Sequence, residues 1–346
     1  MNTKELESAL HALPYPGLSR TLGELKLISE VKVTDNQAKI ELLTVSDESY
    51  LTVKTAIEAE YASTFKTLDI TKKSTAAKDI NYGNSAAPNN RAPYAANVIA
   101  VTSGKGGVGK STVSVNLAIA LAQQGYKVGI LDADVYGPNV PRLTNTDLEK
   151  IRWNDENQII PCENYGIKIM SVALTTPTSD TPLVWRSSVA VSALIQFLED
   201  VAWGELDFMV IDMPPGTGDI QLTMAQELPI TAGVIVTTPQ LVASDDVSRA
   251  IRMFQDIHVP IAGLVENMSY FIAPDTGTRY DIFGSGGGER LSKRYNVPLL
   301  GQIPLNMDIR EGSDNGEPPV ALGSETLKNY YKEIVEEMLK AVKFRV

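Results

Sequence analysis

The sequence predicts an α/β fold: a doubly wound, mostly parallel sheet, preceded by a small α+β unit. Three observations carry this. Short apolar runs (VIAVTS, KVGILDA, DFMVIDM, AGVIVTT, IAGLVEN, PLLGQIP) recur with helical stretches between most of them, the pattern of a parallel sheet covered by helices. A glycine-rich loop, GKGGVGKS, sits between the first run and a helix. A polar, Pro- and Asn-rich stretch at 73–96 separates all of this from the front segment.

In chain order, residues 1–72 read as the α+β unit. LKLISEVKV and AKIELLTV alternate apolar and polar positions as half-buried strands do, with turn-like TDNQ between them. YLTVKTAIEAEYAST has helical spacing, with Leu51, Ile57 and Tyr61 among its apolar positions. Residues 73–96 read as a linker, and 97–346 as the main domain. There a helix from about Lys110 to Gln124 is closed by Gly125. SDDVSRAIRMFQDI opens on a Ser cap with acidic residues in its first turn. The final helical stretch carries Leu327, Tyr331, Ile334, Val335, Met338 and Val342 on one face and Glu333, Glu336 and Glu337 elsewhere, which suits packing on the sheet better than a lipid surface.

Composition narrows the function. The chain has 346 residues, 43% of them hydrophobic, enough for about two domains with sizeable cores. A net charge of -11 argues against general nucleic-acid binding, which needs a cationic surface. It leaves room for one nucleotide held by backbone N–H groups and a lysine. One cysteine, Cys162, excludes a disulfide within the chain and fits a reducing compartment. The start has no secretory pattern and no apolar run reaches the ~20 residues of a membrane span, so a cytoplasmic protein is expected.

The chemistry lies at the strand ends. Gly104–Ser111 fits G-x-x-x-x-G-K-[ST]. Gly104, Gly106, Gly107 and Gly109 let the loop aim its N–H groups at phosphate, Lys110 reaches the β- and γ-phosphates, and the Ser111 hydroxyl ligates Mg²⁺. Asp132 and Asp134, in ILDADVYGP, either position water and support Mg²⁺ or cap a turn. Asp212, ending DFMVID, suits the carboxylate that supports Mg²⁺ through water, and PPGTGD after it suits a γ-phosphate sensor. Asn267 offers donor and acceptor to an adenine edge, or forms a turn. His258 reads as a helix-end residue near the dipole.

GKGGVGKST, LDADVYGPNVP, WGELDFMVIDMPPGTGDIQLT, ENMSYF and FGSGGGERL together resemble the Mrp/ApbC family, deviant-Walker P-loop ATPases of the MinD/ParA group. The front unit, through LGELKLISEVKV, resembles the small Fe–S assembly domain that precedes the ATPase in many members. The resemblance implies a homodimer that binds ATP near the subunit interface and passes an iron–sulfur cluster, a [4Fe–4S] one, to apoprotein clients or works with Fe–S assembly proteins. Slow ATP hydrolysis is expected, and the acidic charge and the acidic face of the last helix argue against nucleic-acid and membrane partners. It implies Lys105 as the signature lysine reaching the partner's nucleotide; from the residue alone a solvated charge is equally open. Gly104 to Thr112, Val108 included, would cradle the nucleotide, with Asp134 near the attacking water and Asn267 at adenine. Cluster-carrying relatives place a Cys-x-x-Cys after ENMS; the matching positions here are Ala273 and Thr276. TVSDES stands where a front-domain cysteine is usual, and WRSS (Trp185–Ser188) replaces Trp-Arg-Gly-Pro. A cluster normally takes four thiolates, and a dimer of this chain has only two. Cys162 reads most simply as a small buried hydrophobe. The alternatives are a cluster-free adaptor ATPase, a MinD/ParA-like positioning ATPase, and a metabolic P-loop enzyme, for which no substrate pocket is marked.

Overall fold

The computed structural model describes residues 2–14, 16, 21–23, 27–34, 36–43, 47–73, 91–175 and 187–345. The chain forms two compact units, one centred on Met1–Ser85 and the other made of Ala86–Phe254 and Val259–Val346.

The first unit holds α1 (Thr3–Ala12), β1 (Ile28–Thr34), β2 (Gln37–Leu43), α2 (Asp47–Tyr61) and β3 (Thr67–Lys73). β1 pairs antiparallel with β2, and β2 parallel with β3. Alternation along β2 buries Ala38, Ile40 and Leu42 on one face, against Leu6 and Leu10 of α1 and Val53 and Ile57 of α2. Leu51, expected on the apolar side of α2, is exposed; Val53 and Ile57 carry the packing. α1 starts with a reciprocal capping box between Asn2 and Glu5. Most of the 73–96 linker and the start of TVSDES lie outside the described residues, but Lys73 ends β3 and Ala95 begins the next strand.

The second unit opens with β4 (Ala95–Ser103), α3 (Lys110–Gln123), β5 (Val128–Asp132) and α4 (Val140–Leu143). A small hairpin of β6 (Arg152–Trp153) and β7 (Ile159–Ile160) leads to β8 (Cys162–Asn164) and β9 (Ile167–Ser171). Then follow α5 (Ser187–Asp200), β10 (Leu206–Asp212), α6 (Asp219–Glu227), β11 (Ala232–Thr237), α7 (Leu241–Asp256) and β12 (Ile261–Glu266). A second hairpin, β13 (Phe271–Ile272) and β14 (Arg279–Tyr280), precedes α8 (Gly287–Tyr295), β15 (Leu299–Gln302), α9 (Met307–Asn315), α10 (Pro319–Leu322) and α11 (Glu325–Ala341).

The central sheet has the order β15-β12-β11-β4-β10-β5-β9-β8. Every pair is parallel except β8 with β9. β4 is buried from Asn97 to Ser103 and β10 from Phe208 to Asp212, the continuous apolar habit of strands covered on both faces. After β4 the chain moves to β5 on one side and later returns to β11 on the other, so a topological switch falls at β4. Open sheets of this kind bind ligands there, at the carboxyl ends of the strands.

The expected Ser cap of α7 is overturned. The helix begins at Leu241, a turn earlier, so Ser244 lies inside it and its first turn holds no acidic residue. α11 packs on α3, β12 and β15 and buries Leu327, Tyr331, Ile334, Val335 and Met338. Among the described residues no helix is long and apolar enough to cross a membrane.

Candidate functional site

The loop between β4 and α3 lies at the switch point. Gly107 and Gly109 take left-handed backbone, with φ of 79° and 82°, where a side chain would be strained. Gly104 is needed for a different reason: a Cβ there would stand 2.4 Å from the Asp246 carbonyl carbon of α7. Gly109 caps α3 without any side-chain hydrogen bond, so no capping side chain competes with an anion for the first-turn N–H groups of this helix. Val108 is buried, while Gly106 is exposed.

Three strand ends converge on Lys110. Its ammonium lies 2.8 Å from Asp212 Oδ2 and 3.7 Å from Asp134 Oδ2, and donates to Ser111 Oγ at 3.2 Å. Ser111 Oγ donates to Asp212 Oδ2 at 2.6 Å, and Ser114 Oγ to Asp212 Oδ1 at 2.6 Å. Asp212 is wholly buried. Burial works against the Lys110 charge, but the carboxylates of Asp212 and Asp134 outweigh it and hold its pKa above the ordinary lysine value.

The two aspartates after β5 divide their work. Asp132 is wholly buried and accepts from Val140 N at 3.1 Å, Ser171 Oγ at 3.0 Å and Asp134 N at 3.2 Å. It ties α4, β9 and its own turn together. Burial and the Asp212 charge push its carboxyl up to about 7, against Lys110 and two backbone donors. Asp134 turns toward Lys110, and burial also raises its pKa.

Asn267 follows β12. Its Nδ2 donates to the Val108 carbonyl at 2.9 Å, and its backbone N to Thr237 O at 2.8 Å. Lys105 does not join the cluster: its Nζ donates to Gln240 Oε1 at 3.3 Å, which also accepts from Thr238 Oγ1 at 3.1 Å. Thr112 lies half-buried in the first turn of α3 and its carbonyl accepts from Asn116 Nδ2.

Residues 94–339 match the ParA family model described as the NUBPL iron-transfer P-loop NTPase. The chain belongs to this family. Its expected α/β P-loop NTPase fold is shared with known members. Over 230 residues it is 50% identical to an iron-sulfur cluster carrier protein of Aquifex aeolicus, a match covering 66% of this chain. The chain spans 63% of the length of that relative. The nucleotide-binding protein of Archaeoglobus fulgidus, solved in complex with ADP, is 41% identical with a TM-score of 0.59, over 66% of this chain and 89% of that one. The MinD cell-division ATPase of Pyrococcus furiosus aligns with a TM-score of 0.54 at 24% identity, over 71% of this chain and 99% of that one, which speaks to the fold alone.

Within this NTPase, Ser111 and Asp212 are able to hold a divalent cation. Their oxygens converge at 2.6 Å, and an ammonium already stands against both. The hairpin after Asn267 offers an iron–sulfur cluster nothing comparable. Ala273 and Thr276 lie in its loop, where Ala273 N donates to Thr278 O and Thr276 Oγ1 accepts from Thr278 N. Cys162 is buried on β8, its thiol pushed up by burial and by Glu149. Among the described residues no group of three His, Cys, Asp or Glu is set to hold a metal. Trp185 and Arg186 lie outside the described residues.

Sequence reasoning missed Ser114, Ser171 and Gln240. Ser114 had a readable signal, since four residues after Lys110 it faces the same side of α3. The others are brought in by folding alone.

Proposed function

We propose that this chain is an ATP-binding and slowly hydrolysing factor of iron–sulfur cluster assembly, which delivers clusters or helps another protein deliver them to apoprotein clients. The observation that carries the reading is the convergence of Lys110, Ser111 and Asp212 beside a glycine-rich loop whose helix start has no side-chain cap. The family match and the carrier names of its relatives supply the iron–sulfur side.

Gly104 to Thr112 receive the phosphates. Lys110, paired with Asp212 at rest, exchanges that carboxylate for the β- and γ-phosphate oxygens. Ser111 and Asp212 would hold Mg²⁺. The ion, when bound, neutralises phosphate charge. Asp134 orients the attacking water, and no covalent intermediate is needed, because positioning and electrostatics suffice for phosphoryl transfer. Asn267 stands at the adenine while holding the loop. Lys105 leaves Gln240 to reach the nucleotide of a second copy, so the working form is a homodimer. The protein acts in the cytoplasm, without nucleic acid or membrane.

The cargo ligands do not lie in the hairpin loop, since Ala273 and Thr276 have no thiolate to give. This favours the helper role over direct carriage. ATP hydrolysis with Mg²⁺, compared between the parent and Lys110→Ala, tests the enzyme. Full activity in that variant sinks the site. Iron and sulfide content after anaerobic reconstitution separates carrier from helper.

A further inference from the structure

Glu266 is wholly buried and plays no part in the phosphate site described above. Its carboxylate gathers donors from three places. Oε1 accepts from Ser269 Oγ at 2.5 Å and from Gln302 Nε2 of β15 at 2.8 Å. Oε2 accepts from Gly288 N, in the first turn of α8, at 2.5 Å. A buried charge is costly unless donors hold it, and here several donors and the positive end of α8 do so without an ion pair among the described residues. Gly288 packs tightly here: a Cβ would stand 3.1 Å from Oε2 and 3.0 Å from Leu299 Cδ1, so those side chains would have to give way.

The backbone is pinned at the same place. Ile303 N donates to Glu266 O at 2.9 Å, and Ser269 N to Ile303 O at 2.8 Å. The next residue, Asn267, touches the phosphate loop through Val108, and Gly109 lies so close that a Cβ on it would meet Asn267 Nδ2 at 2.2 Å. On the other side the segment runs into Tyr270. Its carbonyl accepts from Leu305 N at 2.7 Å, and its ring carries Arg279 of β14 at 4.2 Å from the centroid. Three residues, Met268 to Tyr270, therefore separate Asn267, whose side chain touches the phosphate loop, from the start of the β13–β14 hairpin at Phe271.

We propose that Glu266 is a positioning residue that couples the phosphate loop to the hairpin at 271–280. Nucleotide arriving at Val108–Lys110 shifts Asn267. With both ends of 266–269 fixed to β15 and α8, the segment cannot absorb that shift by bending, so it passes to Tyr270 and the hairpin. Without the carboxylate, the segment relaxes and the hairpin no longer responds. The coupling rests on the nucleotide reading of the loop.

Hydrogen exchange on the full chain, with and without saturating ATP and Mg²⁺, tests it alongside a direct ATP binding measurement. In the parent, ATP alters exchange both at the phosphate loop and at 270–280. Glu266→Gln keeps both responses, since Ser269 and the Gln302 amide can turn to accept from its NH₂ while its oxygen still faces Gly288 N. Glu266→Ala binds ATP at the loop but loses the hairpin response. Should that variant not fold, the Ser269→Ala/Gln302→Ala pair, which strips Oε1 of both donors, decides by the same criterion. A hairpin response retained in the folded alanine variant overturns the proposal. A parent that binds ATP with no change in the hairpin overturns it too, while leaving the nucleotide site intact. A parent that binds no ATP removes the nucleotide reading and the coupling together.

Discussion

Asn267 Nδ2 reaches the Val108 carbonyl at 2.9 Å, joining the end of β12 to the middle of the phosphate loop across 159 residues of sequence. The contact gives Asn267 a task in the apo protein, whatever it does for adenine. Asn267→Ala is expected to cost about 1 kcal/mol of stability, the usual net worth of such a bond. ATP and GTP binding to the variant, measured side by side, separate the two tasks. Equal weakening assigns Asn267 to the loop alone; a lost preference for ATP assigns it to the base as well.

Lys110→Ala strips a wholly buried carboxylate of its cation. Asp212 keeps the hydroxyls of Ser111 and Ser114 but not the ammonium at 2.8 Å. Removing one partner of a buried pair costs roughly 3–5 kcal/mol, so the apo variant should unfold at clearly lower denaturant when a chelator is present. Asp212→Asn with Lys110→Met should recover much of that stability while remaining inactive. A single variant as stable as the parent would mean that the pair does not form in solution.

These two positions were legible in the sequence because local spacing sets them. A lysine seven residues into a glycine-rich turn, and an aspartate ending four apolar residues, each announce a strand end. Asp132 was only half legible: the turn-capping reading fits its contacts, but Ser171 enters from a strand 39 residues away. Glu266 was invisible as a site, since two of its three donors come from positions 288 and 302. α1 could have been found, because Asn2 followed by Glu5 is a capping box. The start of α7 was misread because Ser244-Asp245 mimics a cap, while the true first turn, Leu-Val-Ala, carries no capping signal.

Asp132 gives the fold a dependence on pH. Its carboxyl is pushed up to about 7 in the folded chain from an ordinary 3.8. Between those values the folded chain keeps a proton that the unfolded chain has lost, so this group lowers stability as pH rises, and the loss is complete above about 7. Asp132→Asn cannot lose that proton. Measured in chelator, the stability of the variant relative to the parent should rise by on the order of 2–3 kcal/mol between about pH 5 and about pH 8. The amide also forfeits an acceptor, which sets the offset but not the slope. A flat difference across that range would show that Asp132 is ionised throughout.

Lys105 rests on Gln240 in the single chain, away from Lys110. If its work is done across a dimer, Lys105→Ala should cut turnover about tenfold or more and shift the apparent ATP affinity by less than about threefold. Gln240→Ala, which frees the lysine, should leave turnover at or above that of the parent. Equal losses in affinity and turnover would place Lys105 on the nucleotide of its own chain.

The β13–β14 hairpin is a place where substitution should add a function rather than remove one. Thiolates at positions 273 and 276 in two copies of this loop would supply the four that a cluster normally takes. Ala273 and Thr276 lie in a short turn held by Gly277 N to Ala273 O at 2.8 Å and Ala273 N to Thr278 O at 2.9 Å. Neither bond uses the side chain of Ala273 or Thr276. Thr276 Oγ1 also accepts from Thr278 N at 3.3 Å, a bond that a cysteine would weaken, but the two backbone bonds remain. Ala273→Cys with Thr276→Cys should therefore keep the turn and, after anaerobic reconstitution, take up iron and sulfide with visible absorbance, as a dimer. The parent should retain neither. A parent that holds iron as firmly as the double variant would mean that the cargo is bound elsewhere. Buried Cys162, as Cys162→Ser, is then the first position to test.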